Sequence, residues 1–371
     1  MIWEAWTFSL LDTGFFRDGQ PFHAGEGGYS RVQSVFPPSA ATLQGAIRTA
    51  LAQAEGWRPE APETWPEWLG GPDDLGVLRL RGPYLLKNGE LYFAAPLHLW
   101  LGEGGVVGRL VPGEPVPCDL GPAVRLPRPA GEGRAGGGFP EGRFLTGEGL
   151  AAVLAGGVPA PDQLLPAGRF WVEEPRVGLE RSRSTRTAQE GRLYQAVHVR
   201  PCRGVAVRVY VGGLPAKRIQ LPKWVRLGGE GRAAAVTVEA VSEEAVVATL
   251  PPCPGLEADS DGTVRFTVTL LTPGCYADPA AVIRQGPPEI PGRCVSACIG
   301  KLRQIGGWSL EWGRPRALEP YLPAGSTWFF EAPAHEIGRI AALHGRCLGD
   351  RTNHGYGQIA VGRWEGGAKD K

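Results

Sequence analysis

The sequence predicts an α+β protein organised as two domains. Its 371 residues exceed what one small hydrophobic core needs, so two domains are expected. Apolar and polar residues alternate from Met1 to Leu10, with Trp6, Phe8 and Leu10 on one face, which indicates a strand. Apolar residues from Leu43 to Ala54 recur at helical spacing. A strand followed closely by an amphipathic helix favours a mixed fold over an all-β or all-α one.

The limits of the first helix are marked by local signals. Pro37-Pro38 stiffens the approach, and Ser39 is placed to accept hydrogen bonds from the first-turn amides. Gly56 suits the left-handed residue that follows a helix end. The helix is therefore expected to begin at Ala40.

The next elements complete a first domain over residues 1–200. We predict strands at Val77–Leu80, Leu91–Leu99 and Arg169–Val172 and a short helix at Gly149–Leu154, with Asn88-Gly89 as a hairpin turn. Residues 102–142 are rich in Gly and Pro without periodicity and are interpreted as a surface insertion. The order strand, helix, strand, strand, helix, strand predicts a ferredoxin-like (RRM-like) domain with both helices on one face of the sheet.

The second half, residues 201–371, predicts another domain of the same type. Strands are expected at Val205–Val211, Ala235–Val241, Val264–Leu271 and Tyr356–Val361, and a helix at Ala334–Leu348. Two ferredoxin-like domains with long loop insertions are the predicted architecture.

Several functional classes are not supported by the sequence. The chain has no apolar run of membrane-spanning length, and its first residues lack a signal-peptide pattern, so a cytoplasmic location without membrane contact is expected. The seven cysteines form no paired CxxC motifs and are interpreted as small buried hydrophobes, including the nearest pair, Cys294 and Cys298.

Catalytic motifs are also missing. Ile299-Gly300-Lys301 lacks the glycine spacing and the following Ser/Thr of a P-loop, and no HExxH or GxSxG occurs. The six histidines are dispersed along the chain. We therefore predict neither a metal nor a cofactor, and no enzymatic activity.

Charge is distributed unevenly although the formal net charge is only +1. The segment 176–232 holds 13 lysines and arginines against three glutamates. A basic region on an otherwise acidic protein is typical of a nucleic-acid binder that has a second, protein-facing surface. The alternative is a set of solvated arginines on exposed strands.

The first candidate site lies around the glycine-rich loop before the first helix. Free amides and the helix dipole attract anions there, and the cations that would line the site are Arg17, His23, Arg31 and Arg48. The alternative is that Arg17 pairs with Asp18 and that His23 caps a turn.

The second candidate site is a basic arm at residues 178–194. Arginines among hydroxyl groups can bind phosphates, and an aromatic ring can stack on a base, which selects Arg181, Arg183, Arg186 and Tyr194. The alternative partner is an acidic protein. Near the end of the chain, His354 and Tyr356 are candidates for base stacking, with core packing as the alternative.

An ordered set of motifs resembles one protein family. It runs through Phe16-Arg17-Asp18-Gly19-x-Pro21-Phe22, Phe36-Pro37-Pro38-Ser39, Gly45-x-x-Arg48, Gly178-Leu179-Glu180-Arg181, Leu193-Tyr194, Leu227-Gly228-Gly229-Glu230, Ile305-Gly306-Gly307-Trp308, Pro323-Ala324-Gly325-Ser326 and Gly355-Tyr356-Gly357. This set resembles the third subunit of Cmr, the type III-B CRISPR effector complex, a RAMP protein. The region 102–142 carries no match.

The resemblance implies two ferredoxin-like domains and a non-catalytic role in RNA binding. It implies that the chain holds the 5′ handle of the CRISPR RNA and contacts the large polymerase-like subunit and the backbone RAMP subunit, which cuts target RNA. Two alternatives stay open. One is a metal-independent endoribonuclease that processes CRISPR RNA with His23 or His354 as general base. The other is a protein-only scaffold.

Overall fold

The structure, a computed structural model, describes residues 2–17, 30–102, 107–118, 121–130, 137–182, 184–215, 220–309 and 313–365. The α-helices are α1 (Ala40–Ala54), α2 (Gly147–Leu154), α3 (Glu243–Val247), α4 (Pro279–Gln285) and α5 (Ile337–Ala341). No helix in these residues is long and apolar enough to cross a membrane.

Strands make up most of the regular structure. In chain order they are β1 (Trp3–Leu10), β2 (Ser30–Val32), β3 (Arg79–Lys87), β4 (Glu90–Ala94), β5 (Leu99–Leu101), β6 (Val107–Cys118), β7 (Gly121–Pro129), β8 (Arg143–Thr146), β9 (Leu164–Pro166), β10 (Trp171–Arg181), β11 (Ala188–Pro201), β12 (Val205–Gly212), β13 (Trp224–Arg226), β14 (Ala233–Val241), β15 (Thr263–Leu270), β16 (Gly274–Cys275), β17 (Arg293–Cys298), β18 (Arg303–Ile305), β19 (Trp308–Ser309), β20 (Arg314–Pro315), β21 (Glu319–Leu322), β22 (Thr327–Pro333) and β23 (Ile359–Arg363). The chain is therefore a mixed α+β protein, which confirms the broad class predicted from the sequence.

The first compact unit combines three segments, Met1–Gly89, Gly168–Ser242 and Gln304–Glu319. Its main sheet has the order β13-β14-β1-β12-β3, and all four of these strand pairs are antiparallel. α1 begins after Ser39, whose hydroxyl accepts from the Thr42 amide, and contacts β3 and β13. Trp6 and Phe8 of β1 are at most 1% exposed, as are Leu43, Ile47 and Leu51 of α1, so the apolar faces predicted for both elements are buried.

A long hairpin leaves this unit. β10 and β11 pair antiparallel from Trp171↔Pro201 to Leu179↔Leu193, and after a register shift Arg181 lies opposite Ala188. β2 runs parallel to β11 as the third strand of this second sheet.

The second unit combines Glu90–Ala167, Glu243–Arg303 and Pro320–Lys371. Its central sheet has the order β17-β22-β15-β23, again antiparallel throughout, with α4 between β15 and β17 in the chain and α5 between β22 and β23. The core of this sheet includes Phe266, Trp328, Phe330, Ile340 and Val361, each at most 1% exposed.

The compact units do not follow the predicted ranges 1–200 and 201–371. Strands β12 and β14, which the sequence analysis placed in the second half, pair on either side of β1. The reason is that alternation identifies a strand but not its partner, and here both partners lie about 200 residues away along the chain. The predicted helix at Ala334–Leu348 shrinks to a 3₁₀ turn and the five residues of α5.

The glycine- and proline-rich region 102–142 is also more regular than predicted. β6 and β7 form an antiparallel ribbon within a three-stranded sheet of order β5-β6-β7. The ribbon contacts β17, and the Ser296 hydroxyl donates to the Arg125 carbonyl over 2.6 Å. Glycine and proline obscure the alternation of this ribbon, and its pairing has register shifts.

His98 is a buried titratable group in the second unit. Its side chain is 5% exposed, and Nδ1 lies 3.3 Å from the Thr327 hydroxyl. Burial, and secondarily the nearby Arg109 guanidinium, lowers the pKa of His98 to about 4. The folded state therefore holds His98 neutral where an unfolded chain would begin to protonate it.

We expect acid to destabilise the protein partly through His98. The unfolded state binds a proton near pH 6.5 and the folded state only near pH 4, so the free energy of unfolding should fall by roughly 3 kcal/mol across that interval. Chemical denaturation at a series of pH values should show a shallower dependence for His98→Gln. Parallel curves for the wild type and the variant would contradict this assignment.

Candidate nucleic-acid interface

The arm predicted at residues 178–194 is the distal part of the β10–β11 hairpin. Its turn is closed by the Arg181 guanidinium, which donates to the Arg186 carbonyl over 3.0 and 2.9 Å. Arg186 has a φ of +57°, and its amide donates to the Ser182 carbonyl. Arg181 therefore shapes the turn that carries Arg186.

The tip of this hairpin is polar and accessible. Arg181, Thr185, Arg186 and Thr187 are exposed. The hydroxyls of Thr185 and Thr187 lie 2.7 Å apart. An exposed guanidinium beside hydroxyl groups can bind a phosphate through charge and hydrogen bonds together.

For two of the predicted arm residues, Arg183 and Tyr194, the structure does not describe the side chain. Arg183 lies outside the described residues. The backbone of Tyr194 pairs with Gly178 on one side and Ser30 on the other, within the three-stranded sheet.

Carboxylates neutralise the base of the hairpin. Glu174 accepts from Arg176 and Arg200, each over 2.6 Å. Asp12 accepts from Arg200 over 2.8 Å, with Arg232 at 3.4 Å and Arg176 at 3.6 Å. A hydrogen bond from the Thr13 backbone, followed by the Arg200 contacts, lowers the pKa of Asp12, so this carboxylate is charged at neutral pH.

This ion cluster changes the interpretation of the basic segment 176–232. Three of its arginines, Arg176, Arg200 and Arg232, pair with carboxylates that lie outside residues 176–232. The count of charges in that segment therefore omitted these carboxylates. Among the side chains that the structure describes, the exposed cations that remain in this segment are Arg181 and Arg186 at the hairpin tip and Arg203, Lys223 and Arg226 elsewhere in the unit.

The motif Leu227-Gly228-Gly229-Glu230 has a structural place beside the cluster. Cβ atoms added at Gly228 and Gly229 would lie within 3 Å of Phe15 atoms, and the Gly229 amide donates to the Phe15 carbonyl over 2.8 Å. Glu230 lies 2.9 Å from Nε2 of His198, which is fully buried and stacks on Phe15. Burial lowers the pKa of His198, with Glu230 opposing the shift.

The predicted N-terminal anion site is only partly described. Arg17 is exposed and forms an isolated antiparallel bridge with Ser34. His23 lies outside the described residues. Arg31 lies on β2, where its backbone faces Gln195. The anion site therefore stays a prediction.

Arg48 occupies a buried position instead of an accessible one. It is 7% exposed, and its guanidinium donates to the Gly70 and Gly71 carbonyls over 2.8 and 2.6 Å. The same group lies 5.3 Å from the centre of the Trp65 ring, and burial lowers its pKa. The charge of Arg48 thus holds the 70–71 loop against α1, a role that the sequence pattern alone did not indicate.

The candidate pair near the end of the chain also packs inward. Tyr356 is 2% exposed, and its ring centre lies 4.7 Å from that of Tyr321. His354 is half-buried, with its ring 6.3 Å from Tyr356. For Tyr356 the structure shows the core packing that the sequence analysis kept as the alternative to base stacking.

Metal ligands do not cluster in the part of the chain that the structure describes. No group of three or more His, Cys, Asp or Glu side chains there could hold an ion. Burial raises the pKa of Cys294 to about 11 and that of Cys298 to about 12, so both remain thiols at neutral pH.

An α+β protein of two compact units with a basic, exposed hairpin is the class that this geometry defines. The chain belongs to the CRISPR-associated protein (Cas_Cmr3) family, whose model matches residues 6–364. This match confirms the family that the ordered motifs resemble. None of the curated proteins matches the chain.

Solved structures give more distant similarities. A chain of the type III-B Cmr-β complex bound to cognate target RNA, from cryo-EM, is 15% identical with a TM-score of 0.47, over 88% of this chain and 86% of that one. A chain of the same complex with target RNA and AMPPnP, in state 1, is 14% identical with a TM-score of 0.46, over 91% and 88%. A chain of the crystallised Csm3–Csm4 subcomplex of the type III-A interference complex is 10% identical with a TM-score of 0.38, over 99% and 100%.

Arg48 and Arg17 provide a matched test of structural against surface arginines. We expect Arg48→Ala to lower the free energy of unfolding by about 2–4 kcal/mol, because two loop carbonyls lose a buried charged donor. Arg17→Ala changes an exposed side chain and should stay within about 0.5 kcal/mol of the wild type. Urea denaturation measures both. A stable Arg48→Ala variant would contradict the structural role.

Proposed function

We propose that the chain is a non-catalytic, RNA-binding subunit of a type III-B CRISPR effector complex. In this proposal it holds the 5′ handle of the CRISPR RNA, docks the large polymerase-like subunit and contacts the backbone RAMP subunit, in the cytoplasm. Family membership supports the place in such a complex. The exposed basic turn of the β10–β11 hairpin is the observation that supports the contact with RNA.

We further propose that both units contain ferredoxin-like domains. In the second unit the chain order β15, α4, β17, β22, α5, β23 and the sheet order β23-β15-β22-β17 correspond to a βαββαβ fold with strand order 4-1-3-2. In the first unit β1, α1, β3, β12 and β14 give the same strand order. The described residues between β12 and β14 contain β13 and no helix, so only one of the two helices is represented there.

The hairpin suits recognition of a single-stranded handle. Its turn is preorganised by Arg181, so the backbone that carries the exposed Arg186 side chain is ordered before RNA binds. Contacts of this kind position an RNA backbone, whereas sequence-specific recognition of RNA acts on splayed, unpaired bases. Target sequence would then be read by pairing with the guide, as in other RNA-guided complexes.

The environments of three histidines support a non-catalytic role. His98 and His198 are buried with lowered pKa values. His344 is held at both ring nitrogens, 2.9 Å from the Pro251 carbonyl and 3.1 Å from the Val361 amide. A general base needs an accessible ring within reach of the substrate proton, and these three positions do not provide one.

Charge reversal in the hairpin tests the RNA contact. We expect Arg181→Glu/Arg186→Glu to weaken binding of a handle RNA at least tenfold at fixed salt, because one cation that shapes the turn and one at its tip are both inverted. The slope of log affinity against log salt should also decrease by about 1 for each lost phosphate contact. Fluorescence anisotropy with a labelled RNA measures both quantities.

The matched control is Arg284→Glu, which inverts an exposed arginine on α4, in the other unit. It should bind RNA like the wild type. Equal affinity of the hairpin variant and the control would contradict the assignment. RNA recovered after incubation in EDTA is expected at full length, and a shorter product that requires a histidine would favour the endoribonuclease alternative.

A further inference from the structure

The main sheet of the first unit has a second face, opposite α1. Residues that pair directly across antiparallel strands share a face, so Trp224, Ala235 and Ser9 lie in one row across β13, β14 and β1. The neighbouring row contains Thr237, Thr7 and Arg208. Trp6 and Phe8, which alternate with Thr7, are buried on the α1 side.

A groove of about 520 Å³ lies on this second face. Its floor includes Thr7, Ser9, Leu86 and Ala206, and the turn Arg200–Gly204 forms one wall. The hydroxyl groups of Thr7 and Ser9 allow the floor to form hydrogen bonds, and Leu86 and Ala206 give it an apolar part. Arg203, on the turn, is exposed.

The turn itself is fixed in position. The Cys202 amide donates to the Phe170 carbonyl, and the Gly204 carbonyl accepts from the Asn88 amide over 3.0 Å. A Cβ atom at Gly204, whose φ is +76°, would overlap the Asn88 side chain. The wall that carries Arg203 is therefore preformed.

Trp224 stands at the edge of the same face. Its side chain is 59% exposed, whereas Val225, which points to the α1 side, is 7% exposed. Lys223 and Arg226 are exposed beside it, and Arg226 shares its face by alternation. The exposed indole and the two cations place an aromatic face and positive charge at the same edge of the sheet.

The charges of this face favour an anionic ligand. Its cations include Arg203, Arg208 and Arg226, and the exposed carboxylate Glu239 lies beyond the groove, opposite Ala5. Asp12, in the groove lining, is neutralised by Arg200 and Arg232. An indole can stack on any base, and nearby guanidinium groups bind the phosphates that follow.

We propose that this face binds a short stretch of single-stranded RNA, with one base stacked on Trp224 and the strand crossing Ser9 toward Arg203. The proposal rests on the proposed function for its class of ligand, and it adds a contact site distinct from the hairpin tip. From β13 to β12 the sheet spans about 14 Å. Four-stranded RNA-binding sheets hold two or three bases over a comparable surface.

The test compares two equally exposed tryptophans in the full-length chain. Trp224 is 59% exposed and Trp308, on β19, is 60% exposed. We expect Trp224→Ala to weaken binding of a labelled ten-nucleotide single-stranded RNA by about five- to 150-fold, the range given by loss of one stacked base. Trp224→Phe should retain most of the affinity, and Trp308→Ala should bind like the wild type. Melting temperatures confirm that each variant is folded.

The outcomes separate this proposal from the proposed function. If Trp224→Ala binds RNA like the wild type while the hairpin variant does not, the sheet-face site is overturned and the proposed function stands. If the wild type itself binds no RNA, both are overturned. If Trp224→Ala keeps its RNA affinity but no longer joins a complex with other proteins, the face binds protein and the proposal is wrong.

Discussion

The pairing of β1 with both β12 and β14 is the constraint on which the first unit depends. It places a strand from the start of the chain between two strands about 200 residues later, with Trp6 and Phe8 buried beneath. Burying each of these rings contributes about 1.5–3 kcal/mol. Because β12 follows the hairpin after a three-residue turn, the same pairing fixes the base of the arm and the wall of the groove. The two proposed RNA contacts therefore depend on one non-local sheet.

The basic segment 176–232 does not form a uniformly basic surface, because nearby carboxylates neutralise some of its arginines. Arg176, Arg200 and Arg232 are paired with Asp12 and Glu174, which the fold brings to the hairpin base. Arg48 is buried against loop carbonyls. Arg186 and Arg203 differ from these arginines because their side chains are exposed on turns that backbone hydrogen bonds hold in place. An arginine contributes to RNA binding through its position in the fold, and a count along the sequence does not show that position.

Local sequence patterns predicted much of the secondary structure. They did not predict which strands pair with each other. The N-cap at Ser39 and the alternation of β1 are short-range signals and were confirmed. The pairing of β12 and β14 with β1 depends on contacts between distant parts of the chain. Periodicity therefore could not show which domain these two strands join, or whether the domain boundary lies near residue 200. Arg48 was assigned to an anion site because of its charge. Its actual hydrogen-bond acceptors, the Gly70 and Gly71 carbonyls, are over 20 residues away along the chain and gave no local signal. Trp224 gave no sequence signal beyond a lone aromatic between Lys223 and Arg226.

In the proposed function, the chain holds CRISPR RNA within an effector complex. Affinity purification of the tagged protein from its native host, with sequencing of the bound RNA and identification of the bound proteins in the same sample, tests it most directly. We expect short RNAs that share one 5′ handle together with a large polymerase-like protein. A protein that purifies alone and free of RNA would contradict it.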